Sequence, residues 1–313
     1  MVALTVGSMT ALSGCRVRLE GDAPHKTDLP VRQPMPDEQA LLWAHRDAVR
    51  LRNLAVGLRG SSTPLTELLA TVHGLQANVF ASVLRSGGVP PAEITAAPTP
   101  TGTPTPTAGS AASAPLSTPS GVSELATAEA EGLSAQALSG LTGISMGRVA
   151  LFGTMTAQRA AAVRLLGGLL PSARTLTGPT GEVAAAQLVA IRSAVYGFEV
   201  VVAQTDASHR TAAAETLGAL RARSSELQLL AGSAARPIPL GYALPFPVST
   251  PASALRLATH LMTALGESIA SQLLAVTGDA AGLTGTVHLL ADVCVHAVTW
   301  QVPLAAFPGL TDT

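Results

Sequence analysis

The sequence predicts an all-α protein, and three observations carry that prediction. Hydrophobic residues make up 47% of the 313 residues, yet aromatics only 3%. The apolar content is therefore mostly Ala, Leu and Val, and Ala and Leu rank high in helix propensity while Ala lets helices approach closely. Leu257, Leu261, Leu265 and Ile269 recur every four residues, the spacing of one helical face. Thr63-Pro64 and Thr250-Pro251 each place a capping hydroxyl before a proline suited to a first helical turn.

Charge is balanced, with 19 Lys and Arg against 20 Asp and Glu. A net charge of −1 supplies no field to gather nucleic acid or an acidic substrate, so nucleic acid is not an expected partner. Cys15 and Cys294 are the two cysteines. They make neither a disulfide framework nor a CxxC knuckle, and Cys294 fits a buried, inert thiol.

At the N-terminus, residues 2–14 are small or apolar and uncharged, and they end in Leu12-Ser13-Gly14-Cys15. This resembles a bacterial lipobox, in which Cys15 receives a diacylglyceryl group before cleavage. Residues 1–15 are then a signal peptide, too short to span a bilayer at about 20 residues. No Lys or Arg precedes the apolar run, a departure from the usual pattern. Two acyl chains anchor a protein stably, at roughly 0.8 kcal/mol per buried methylene. Residues 16–35 become a tether, and the expected location is the extracytoplasmic face of the membrane. No later segment reads as long and apolar enough to span, since 280–300 is interrupted by His288, Asp292 and His296.

The elements follow in order. Residues 37–59 carry Leu41, Leu42, Ala48, Leu51 and Leu54 at near-helical spacing. A second helix starts at Pro64 and runs to about Arg85, where Ser86-Gly87-Gly88 stops it. Residues 89–120 hold eight prolines among Thr, Ser, Ala and Gly, which predicts an extended, disordered linker with hydroxyls suited to glycosylation. Helices are expected at 123–138 and 147–170, with a break at 171–181. Residues 182–204 form one helix; Asp206 or Ser208 caps the next, to about Ala231; Pro251 opens a third. After a turn at 278–285 a fourth carries 287–300. The longer connection at 236–248 lies between the second and third of these, which is a bundle plan. The chain thus divides into an N-terminal helical region, 36–170, and a C-terminal bundle, 181–310.

Three motifs in that bundle are recognisable: Ala194-Val195-Tyr196-Gly197-Phe198; Tyr242-Ala243-Leu244-Pro245-Phe246-Pro247-Val248; and Trp300 with Phe307-Pro308-Gly309-Leu310. Together they resemble a ferritin-like domain of unknown function, of the DUF4439 type, from actinobacterial lipoproteins. The resemblance implies a four-helix ferritin-like fold and an envelope location, but no activity and no functional residue. Physically, Tyr196 and Phe198 should fill space between small residues, and Trp300 and Phe307 should seal one end of the core.

A ferritin-type di-iron site needs Glu from two helices and Glu-x-x-His from the other two. No Glu in the chain has His three residues later; Glu199, Glu215, Glu226 and Glu267 are followed there by Val202, Gly218, Leu229 and Ala270. No cofactor is therefore expected. The remaining cluster is His288, Asp292 and His296 on one helix face, which His260 or Glu267 could supplement as a metal site. One ion cannot bridge His288 and His296, about 11–12 Å apart along the axis. There is no G-x-S-x-G elbow and no phosphate-cradling Gly-rich loop. His45 and His73 fit hydrogen-bonded interior or boundary histidines. The preferred reading is a non-catalytic, lipid-anchored binding or scaffold module. The rival is a metal-dependent oxidoreductase or metal store around His288, Asp292 and His296. A ligand carrier with an apolar pocket between Ala-rich helices is the third.

Overall fold

Small apolar residues of high helix propensity give helices and, among the described residues, no strand. The computed structural model describes residues 32–58, 63–96, 121–170 and 177–310. The first six helices are α1 (Glu38–Gly57), α2 (Pro64–Ser86), α3 (Pro91–Thr95), α4 (Gly121–Glu131), α5 (Ala135–Gly140) and α6 (Met146–Leu165). Four more follow: α7 (Gly181–Gln204), α8 (Arg210–Ala231), α9 (Pro251–Ser271) and α10 (Ala280–Thr299). The Thr-Pro reading holds in position at both sites, with Pro64 and Pro251 in the first helical turn, but in its capping hydroxyl only at Thr250. Thr250 makes a full capping box with Ser253, whereas Thr63 occupies the N-cap of α2 without a side-chain bond.

Two sets of helices share one connectivity. α1 packs on α2, α4 on α6, α1 on α4 and α2 on α6. Likewise α7 packs on α8, α9 on α10 and α7 on α9. The last side closes through Arg223 of α8 on Asp292 of α10, and Trp300 Nε1 donating to Thr216 Oγ1 at 3.1 Å. Each set is a hairpin, a longer connection and a second helix pair. The sets meet where α6 lies along α10, and one continuous apolar core runs through both. Met35–Thr313 is accordingly one compact unit.

The helix α6 shows how composition permits this. Every residue from 152 to 163 is buried, including Ala157, Ala160, Ala161 and Ala162. A helix covered all round needs small side chains if neighbours are to approach on several faces.

Several expectations need correction. The signal peptide, Cys15 and most of the tether lie outside the described residues, as does 97–120 of the linker. The linker's first residues are ordered: Val89 and Ile94 are buried, and Pro91 opens α3. The helix expected at 123–138 is two, because the chain turns at Gly132 and Ser134 caps α5 through the Ala137 amide. α10 begins at Ala280, with Asp279 as its cap accepting from the Ala281 amide. Both α7 and α10 are in fact long and apolar enough to cross a membrane. Here they pack as bundle helices. Phe307 does not join Trp300: it packs edge-to-face against Phe80 of α2 at 5.8 Å, while Trp300 packs on Phe198 at 5.6 Å. Tyr196 lies half-buried beside Tyr242, ring centres 5.7 Å apart.

Candidate functional site

At the middle of the C-terminal bundle all four helices face a cleft of about 310 Å³. Its apolar wall comes from Ile191 of α7, Leu220 of α8, Met262 of α9 and Leu289 and Val293 of α10. Ala219 and Ala222 leave the space that larger residues would fill. The rim is polar, formed by Arg223, Glu226, Asp292 and His296. Such a hollow, mostly apolar with a few convergent polar groups, is the usual form of a small-molecule site.

The rim charges are already paired. Asp292 receives Arg164 of α6 on one carboxylate oxygen and Arg223 on the other, and Arg223 also meets Glu226. Burial, and then the neighbouring Arg223, lower the pKa of Arg164. Burial, and then Arg164 and Arg223, lower that of His288. For His296 burial and Arg164 lower the value, with Glu215 opposing. Both imidazoles are therefore held neutral at pH 7.

The structure does not assemble the metal site considered from the sequence. Two guanidinium groups occupy Asp292, the carboxylate between the two histidines. His260 turns to the ring of Phe246, 6.3 Å between centres. Glu267 lines a different hollow, with Cys294 and Leu310. Among the described residues no group of three or more His, Cys, Asp or Glu side chains could hold a metal ion. The bundle centre is aliphatic and does not fit the di-iron centre that a ferritin-like fold invites. Cys294 is buried and unpaired, and burial pushes its thiol up to about 12.

The N-terminal set has a different interior, which sequence reasoning missed. Gln76 Nε2 donates to the Ala306 carbonyl at 2.8 Å and to Gln158 Oε1 at 2.9 Å. A carbonyl only accepts, so Ala306 fixes which end of the Gln76 amide is nitrogen. The Gln76 oxygen then faces His73 Nδ1 at 2.9 Å, and Nδ1 must donate. His73 Nε2 lies 2.6 Å from Glu129 Oε1. That contact holds one proton, as imidazolium with carboxylate or imidazole with carboxylic acid. Arg159 of α6 closes the cluster, with Nε 3.4 Å from the other Glu129 oxygen, an ion pair to Asp47 and a bond to the Ala128 carbonyl at 3.0 Å. His45 is also satisfied, 3.0 Å from the Ala77 carbonyl. Within the cluster Gln158 Nε2 has no hydrogen-bond partner, and Arg159 Nε and Glu129 Oε2 meet only as an ion pair. A groove of about 380 Å³ beside Trp43 has Arg159 as its only charged lining group, and that group is committed to Asp47 and Glu129.

Compared with known proteins, residues 184–312 match a family described as a domain of unknown function, DUF4439. The match spans α7 to α10, the helices that form the cleft, so the chain carries a C-terminal domain of that kind. No curated protein matches. No solved structure matches either.

Proposed function

We propose that this chain is a non-catalytic binding module, held by lipid on Cys15 at the extracytoplasmic face of a membrane, whose ligand sits in the C-terminal cleft. The observation that carries the reading is the cleft itself: an aliphatic hollow at the centre of a four-helix set, rimmed by paired charges. A hairpin, a long connection and a second pair are the plan of ferritin-like folds, which supports that assignment for the domain. The lipobox-like Leu12-Ser13-Gly14-Cys15 supports the anchor. A binding role also suits a rim whose carboxylates, Asp292 and Glu226, are neutralised by Arg164 and Arg223.

Mass spectrometry of full-length protein from a membrane fraction tests the reading. The expected result is a diacylated Cys15 and a small organic molecule that survives gentle desolvation and is lost on Ala219→Trp, which fills the cleft. Stoichiometric iron, manganese or zinc, lost on His296→Ala, would establish the metal-dependent rival instead. An unacylated chain without a bound molecule would end the proposal.

A further inference from the structure

Met262 is 1% exposed and lines two hollows at once. On one side is the cleft; on the other, about 160 Å³ lies between α9, α10 and the closing segment 302–310. Consecutive residues of α10 divide in the same way, Val293 facing the cleft and Cys294 the second hollow. The partition thus centres on one side chain that is unbranched, has three rotatable bonds and adapts to irregular space. The walls of the second hollow are mostly apolar, with Thr263 and Glu267 at the solvent edge, and a space of this size can accept a hydrocarbon segment.

The linings narrow the guest. Apart from the His296 imidazole at the cleft rim, no aromatic ring borders either hollow, so the apolar interior offers a flat ligand nothing to stack against. Gly266, one turn beyond Met262, leaves further room: a Cβ there would meet nothing nearer than Val293 at 3.9 Å. At the cleft mouth the guanidinium groups of Arg164 and Arg223 offset the carboxylates of Asp292 and Glu226. A charged head would have to break those pairs, whereas hydroxyl groups can donate to Glu226 and accept from Arg223 without breaking them.

We propose that cleft and second hollow are one passage gated by Met262, and that it holds a single-chain aliphatic amphiphile with an uncharged, hydroxylated head. The head sits at the Arg223–Glu226 rim and the chain runs past Met262 towards Cys294. This rests on the cleft reading above.

Titration calorimetry of the full chain with octanoyl- and tetradecanoyl-glycerol, below their aggregation concentrations, tests it. Wild type should bind the longer chain at least tenfold more tightly, since each buried methylene adds about fourfold. Gly266→Leu, which fills the second hollow, should reduce tetradecanoyl binding to the octanoyl level and leave octanoyl binding unchanged. Ala219→Trp should abolish both. Gly266→Ala serves if the leucine variant does not fold, with a smaller loss confined to the long chain. Failure of both probes to bind wild type overturns the cleft reading and the passage together. Equal affinity for the two chains, or tetradecanoyl binding unmoved in the Gly266 variants, overturns the passage alone. A dodecyl sulfate control binding more tightly than either glyceride overturns the uncharged head.

Discussion

His73 and Glu129 approach to 2.6 Å with both side chains fully buried, and the amide of Gln76 dictates that a proton lies between them. Taking one partner away strands the other in a medium that cannot solvate it. His73→Leu should therefore cost about 3–5 kcal/mol, and a paired His73→Leu, Glu129→Leu change should cost less than the single one. Urea unfolding measures both; a loss under about 1 kcal/mol for the single change would deny the pairing.

The histidines of α10 set a pH dependence near neutrality. Their folded values lie below the ordinary 6.5, so the unfolded chain binds more protons in the window just beneath it. Stability contributed by neutral His288 and His296 is complete above pH 6.5 and is lost as pH falls through that window. The melting temperature should drop between pH 7.5 and about 5.5, and His288→Gln with His296→Gln should flatten the profile.

A second window belongs to Asp206. Bonds from Ser208, the His209 ring and the His209 amide lower its carboxyl from 3.8 to about 2. Its contribution is present above 3.8 and goes as pH falls towards 2. Asp206→Ala should remove that acid-limb slope, as followed by helical circular dichroism.

Two glycines should respond oppositely to alanine. A Cβ at Gly285 would lie 2.3 Å from Gly178 Cα and 2.6 Å from the Thr177 carbonyl, so backbone must move. Gly285→Ala should destabilise by about 1–3 kcal/mol. Gly266→Ala meets only Val293, at ordinary van der Waals distance, and should raise stability by up to about 1 kcal/mol through helix propensity. Thermal melts of the two variants that shift together would contradict this contrast.

The thiol of Cys294 should be inert while the chain is folded. With its pKa pushed up to about 12, almost no thiolate exists at pH 8. In a Cys15→Ser chain, iodoacetamide should label nothing until denaturant is added. Labelling at the rate of a free thiol would refute the burial.

Much of the fold was legible because helix signals are local. Pro64 and Pro251 mark their helix starts, and the Leu257–Leu265 face does point inward. The interior chemistry was not legible, because its partners come from distant sequence. Spacing along α10 grouped His288, Asp292 and His296, but nothing in that spacing shows that Arg164 and Arg223 arrive from two other helices. Nor could composition reveal that Gln158 and Arg159, polar residues in a run of alanines, lie inside. Gln76 finds Ala306 across most of the chain, a contact without a local signature.

The burial of α6 on every side ties the two halves into one inheritance. A fragment trimmed to the matched domain would leave α10 with a greasy strip along its length, where α6 had lain. Its last residues would also lose their socket, since Phe307 inserts beside Phe80 and the Ala306 carbonyl is held by Gln76. Such a truncated product should self-associate through that strip.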